Sequence, residues 1–202
     1  AINLVMTSCG AFLLSRQKFI PKNFLMLMVV ITMYFSGGLI PTFLLYKNTY
    51  HLYNSYLALL LPGAISSWNL IVMRTSFQGI PRELEESAYI DGANDFVVLI
   101  RVILPLSTAT VAVMALFYGV SHWNSWFAAM IYLEDRSKYP LQLFLREMLV
   151  LKDGAGVTTE EEMLAENLKY ATIVVATVPI LFIYPFIQRY FVKGVMVGAL
   201  KG

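Results

Sequence analysis

The residues with the most chemical character lie between Pro81 and Asp95: Arg82, Glu83, Glu85, Glu86, Tyr89, Asp91 and Asp95. Their spacing is that of a helix and its stop. Pro81 suits a first turn, where its missing N–H leaves nothing unpaired. Glu83, Glu85 and Glu86 follow at the positive end of the helix dipole, where anions are favoured. Leu84, Ala88 and Asp91 share one face, and Ala88 is small enough for another surface to approach closely. Asp91-Gly92 ends the helix, because Gly tolerates positive φ, and Asn94 or Asp95 can cap a second helix running to Arg101. This chemistry is recognition, not catalysis. Ser, His, Cys and Asp never fall into a nucleophile-and-base arrangement. His51 and His122 are far apart with no carboxylate cluster at ligand spacing, so no metal site is expected. No Gly-x-x-x-x-Gly-Lys phosphate loop is present.

The elements that hold this segment are apolar. Of 202 residues, 58% are hydrophobic and only 14% charged, with a mean hydropathy of +0.64. A soluble domain carries about 25% charged residues, so this chain must set apolar surface against lipid. A net charge of +2 does not suggest nucleic acid. Cys9, the only cysteine, cannot form an internal disulfide. Hydropathy predicts an all-α, polytopic membrane bundle in one domain: a partial helix over 1–15, spans over about 24–46, 56–77, 102–130 and 169–189, an external loop over 131–168, and cytoplasmic helices over 80–101. The run 1–15 is shorter than the roughly 20 residues a spanning helix needs and reads as the tail of a helix whose start is missing. Gly37, Gly38 and Pro41, and then Pro62 and Gly63, mark kinks inside two spans. Thr158-Thr159-Glu160-Glu161 reads as a helix start of capping-box type.

Positive charge sets the orientation. Nine Lys and Arg residues (Arg16, Lys18, Lys22, Arg74, Arg82, Arg101, Arg189, Lys193, Lys201) fall on one side, and six (Lys47, Arg136, Lys138, Arg146, Lys152, Lys169) on the other, mostly in one long loop. The first set and the C-terminus are therefore assigned to the cytoplasm.

The 80–105 segment resembles a known signature. Glu86-Ser87-Ala88, then Gly92, then Val102, then Leu104-Pro105 stand at the spacings of the Glu-Ala-Ala–Gly–Ile–Leu-Pro motif of ABC-importer permeases, with Ser87 for Ala and Val102 for Ile. Ile90-Asp91-Gly92-Ala93, the Trp123-Asn124 pair and the tail from Gln188-Arg189 to Lys201-Gly202 look like the MalG type of sugar permease. The resemblance implies that the helices after Pro81 dock on a cytoplasmic ATPase through Glu86, Ser87, Ala88, Asp91, Gly92 and Pro105. It further implies a second permease subunit, two ATPase subunits holding ATP and Mg, and an extracellular or periplasmic solute-binding protein. Alternating access follows, with no cofactor and no enzymatic activity in this chain. On the same basis the C-terminal tail, with Gly194 and Gly198, reaches toward the ATPase. The segment Tyr139-Pro140-Leu141-Gln142-Leu143 with Arg146-Glu147 resembles a branch associated with polysaccharide fragments.

Trp123, Asn124 and Trp126 have two readings. They are interfacial anchors, or they line the path, since aromatic faces stack on sugar rings and a polar side chain near a span end often faces a cavity. Rival functions are a permease for a peptide or amino acid, and a membrane channel or enzyme acting without an ATPase. The sequence leaves open which subunit holds the solute.

Overall fold

The computed structural model describes residues 1–16, 20–150, 167 and 169–185. In chain order the helices are α1 Ile2–Ser15, α2 Lys22–Tyr34, α3 Leu39–Leu44, α4 Leu57–Leu60, α5 Ser67–Gln78, α6 Glu83–Ile90, α7 Asp95–Val98, α8 Leu104–Leu106, α9 Thr108–Trp123, α10 Trp126–Tyr132 and α11 Leu141–Val150. A further apolar helix, α12, is Lys169–Pro185. Wide π turns occupy Leu45–Thr49 and Leu99–Ile103, and a 3-10 turn Arg136–Lys138. No strand occurs among the described residues. The capping-box segment 158–161 and the C-terminal tail lie outside them.

Two compact units result: Ala1–Gly38 with Pro62–Tyr118, and Leu39–Leu61 with Gly119–Gln188. In the first, α1 packs along α5. Ala11, Phe12 and Leu14 meet Leu70, Met73 and Phe77, and Val98, Leu99, Ile103 and Met114 close the cluster. Small residues allow the close approach. A Cβ on Gly10 would come 3.1 Å from Leu70 Cδ1. A polar chain crosses this core. The Tyr118 hydroxyl lies 2.6 Å from Thr7 Oγ1 and accepts from Ser66 N at 3.0 Å. Tyr118→Phe leaves both groups without that partner and is expected to cost about 1–3 kcal/mol. Thermal unfolding in detergent should show the loss with helicity intact.

The second unit packs α10 against α11 and α4. Ala129, Leu133 and Leu143 form its core, with Leu59, Trp126 and Tyr139 against them. Asn54 pins two loops in this unit. Its side chain accepts from the backbone of Glu134 and Asp135 at 3.3 and 3.1 Å, and its carbonyl accepts from Lys138 Nζ at 2.9 Å.

The helices are more interrupted than the sequence reading predicts. The 24–46 segment divides at 35–38, where Gly38 has φ +83. The 56–77 segment divides around Pro62-Gly63, and α5 restarts at a Ser66 cap that accepts from Asn69 N. The 102–130 segment begins late and divides at Asn124-Ser125. No single helix among the described residues is long and apolar enough to cross a membrane. Lys22–Tyr34 with Leu39–Thr49, and Asp95–Leu106 with Thr108–Trp123, meet that test as broken pairs.

The second pair is bent by 88°. Its cause is local. Pro105 has no N–H, and in an ordinary helix its ring would clash with the carbonyl four residues back. The backbone widens ahead of it, Leu104 N donating to Leu99 O in π register. The chain then turns at Ser107 (φ −102, ψ 20). The second helix of the 80–101 segment thus runs past Arg101 to Leu106, and the bend, not Val102, marks where the apolar α9 begins.

Candidate functional site

The α6–α7 pair is built as a stiff corner. Glu83, Glu85 and Glu86 fill the first turn of α6, Arg82 standing at the N-cap. At the other end Ala93 N donates to Ala88 O at 2.9 Å, and Gly92 N to Tyr89 O at 3.0 Å. These are the paired bonds of a Schellman motif, which requires the positive φ of +83 found at Gly92. Asn94, not Asp95, caps α7, its Oδ1 accepting from Val97 N at 2.9 Å. Asp95 instead accepts from the Tyr89 hydroxyl at 2.6 Å, tying α7 back to α6. Burial, helped by the bond to Asp95 and its charge, pushes the Tyr89 phenol up to about 12, so it stays a donor.

The side chains segregate. Glu86, Ser87, Asp91 and Gly92 are exposed. Beside them Leu84, Ile90 and Phe96 are 44%, 86% and 65% exposed, an apolar surface next to the acidic one. Ala88 lies against the core of its own unit, together with Ala93. Its smallness therefore serves the seating of α6 on its own chain. Pro105 is exposed and lies beyond α7, in α8 just ahead of the bend.

Two residues that the sequence reading leaves out of the site are central to it. Glu85 is only 5% exposed. It makes an ion pair with Arg16, which follows the last residue of α1. The Arg16 guanidinium also lies 4.8 Å from the centre of the Phe12 ring. Burial lowers the Arg16 pKa from its usual value; Tyr89 opposes that shift and Arg82 adds to it. A signal was available on one side: Glu85 and Ala88 are three apart and share the inward face of α6. Arg16, 69 residues away, had none.

Trp123, Asn124 and Trp126 belong to the second unit. The Trp123 indole N–H donates to Ala176 O of α12 at 3.0 Å. Trp126 lies under the Arg146 guanidinium, 3.5 Å from its ring centre, and meets Phe127 edge-on. Of the three only Asn124 is exposed, in the break between α9 and α10. No group of three or more His, Cys, Asp or Glu able to hold a metal occurs among the described residues.

The comparisons with known proteins match this architecture. Residues 6–197 match the family described as the inner membrane component of binding-protein-dependent transport systems. The chain belongs to this family. It is a membrane-embedded transport permease. It is 44% identical over 207 residues to the polygalacturonan/rhamnogalacturonan transport system permease protein YtcP of Bacillus subtilis, covering 100% of this chain and 72% of that protein. It is 43% identical to protein LplC of the same organism, covering 100% of this chain and 70% of that protein. Among solved structures, a bacterial ABC transporter involved in import of the acidic polysaccharide alginate aligns with a TM-score of 0.85 and 31% identity, over 94% of this chain and 69% of that one.

Proposed function

We propose that this permease is one of two membrane-spanning subunits of an ATP-driven importer, and that it moves a fragment of an acidic polysaccharide across the cytoplasmic membrane. A second permease subunit completes the path. Two ATPase subunits supply hydrolysis, with ATP and Mg bound there, and a solute-binding protein delivers the sugar from outside. The C-terminus and the α6–α7 corner face the cytoplasm. The observation that carries the reading is the exposed row Glu86, Ser87, Asp91 and Gly92 on a helix whose C-terminal end is locked by the bonds from Gly92 and Ala93. Held that way, it offers a partner a fixed acidic and apolar surface and passes displacement on instead of absorbing it. The solute class rests on the names of the relatives. Polygalacturonan and alginate are both polymers of carboxylate-bearing sugars. Within the membrane, Asn124 is the path candidate left open to a solute, since the Trp123 N–H and one Trp126 face are occupied.

The test is uptake by the assembled complex in proteoliposomes, using labelled oligogalacturonides with the loaded binding protein. Glu86→Lys is expected to reduce uptake by at least about ten-fold, the equivalent of 1.4 kcal/mol of coupling, with the chain still inserted and assembled. Unchanged uptake would remove the docking assignment. Uptake of a peptide or amino acid instead of the sugar would replace the solute.

A further inference from the structure

We infer that the Arg16–Glu85 ion pair is the positioning tie through which displacement of α6 is carried into α1. The inference rests on the importer reading above and adds to it the route taken by the force inside this subunit. Glu86 and its exposed neighbours meet the partner, whereas Glu85 points the other way. The Arg16 and Glu85 side chains are 19% and 7% exposed. A surface pair would stretch and re-form with solvent, but a pair out of water cannot, because losing either partner strands a charge.

Arg16 is fixed at its own end. Its backbone N–H closes α1 on Leu13 O at 3.3 Å, and its guanidinium lies by the Phe12 ring, itself 4% exposed. Arg74 of α5 donates to Leu14 O at 2.9 Å and braces the same turn. The guanidinium also sits at the negative end of the α1 dipole, where a cation is favoured. Its Nε and Nη2 are buried without a hydrogen-bond partner among the described residues, and Glu85 is the carboxylate that neutralises it there. Ala88 packs α6 on the core of the unit and the Tyr89 hydroxyl ties it to Asp95 of α7, whereas the Arg16–Glu85 pair runs from α6 to the end of α1. The tie is therefore specific: a push on α6 moves the C-terminal turn of α1, and with it the α1–α5 core.

The test uses the complete complex with Glu85→Gln, Arg16→Met and the conservative Arg16→Lys. Three quantities are read: the amount of assembled complex, ATP hydrolysis stimulated by the loaded binding protein, and sugar moved per ATP hydrolysed. Glu85→Gln and Arg16→Met are expected to lower the amount of assembled complex, because each strands a buried group, and in the complex that assembles to keep hydrolysis within about two-fold while sugar moved per ATP falls about ten-fold; Arg16→Lys should recover most of it. If uptake falls only in proportion to assembled complex, the pair merely supports the fold and the inference is overturned. Unchanged sugar per ATP in both variants overturns it as well. A wild-type complex that hydrolyses ATP without moving sugar would instead sink the importer reading, which separates the two failures.

Discussion

Gly92→Val is expected to abolish ATP-driven uptake while the protein remains inserted in the membrane. The side chain itself meets no obstacle, since nothing lies within 4 Å of a Cβ built at Gly92. The penalty is in the backbone. At φ +83 an L-residue places its Cβ against the following carbonyl, at about 1–2 kcal/mol, and β-branching makes this worse. Relaxing to negative φ breaks the bonds from Ala93 N to Ala88 O and from Gly92 N to Tyr89 O, so α7 leaves α6 at a new angle. The Tyr89–Asp95 bond is then lost as well. A rigid corner becomes a loose one, and hydrolysis in the partner proceeds without productive displacement. Gly92→Asn should retain part of the uptake, because Asn tolerates this region better than Val. The measurement is uptake and ATP hydrolysis on the same proteoliposomes. Full uptake by the Val variant would show that the corner angle is immaterial.

Phe77→Ala is expected to cost about 3–5 kcal/mol of stability. Phe77 is completely buried, in the last turn of α5, and its cluster includes Phe12 of α1, Val98 of α7 and Ile103 ahead of the bend. Ala88 and Ile80 pack on the same cluster, so the aromatic ring is part of the core on which the α6–α7 corner is seated. Removing it opens a cavity beneath the segment that has to stay stiff. Thermal unfolding of the detergent-solubilised protein should report the loss, and Phe77→Leu should recover more than half of it because less volume is removed. A shift no greater than that of an exposed site such as Ile90→Ala would contradict the packing described.

How much of this was legible in the sequence depended on the range of the interaction. The α6 stop was readable because Asp91-Gly92 is a local signal and only Gly fits it without strain. Asn94 and Asp95 were both plausible caps by type, and only the backbone direction assigned the cap to Asn94 and freed Asp95 for Tyr89. The interruptions at Gly37-Gly38 and Pro62-Gly63 announced themselves. The one after Trp123 did not, since it contains neither Gly nor Pro. There the Ser125 hydroxyl takes His122 O at 2.8 Å, and Trp126 N takes Asn124 O at 3.0 Å, local bonds that compete with the helix. In the sequence Pro105 is only part of a signature near the start of a span, and neither the bend after it nor the π turn before it was legible there; the latter depends on how five residues share the extra space. Glu85 looked like one acid among several in a solvated first turn. Its burial follows from where the end of α1 happens to lie, and hydropathy does not encode that.

The near-right-angled elbow at Ser107 gives the subunit the geometry of a bell crank. Twelve residues from Asp95 to Leu106 make a short arm about 18 Å long at 1.5 Å per residue. Moving its tip by about 3 Å parallel to α9 swings it through roughly 10°, and the 16 residues of α9, turning with it as one piece, would carry their far end through about 4 Å. A modest push on the short arm, directed along α9, would thus become sideways sway at the end of the long one, without either helix having to lengthen.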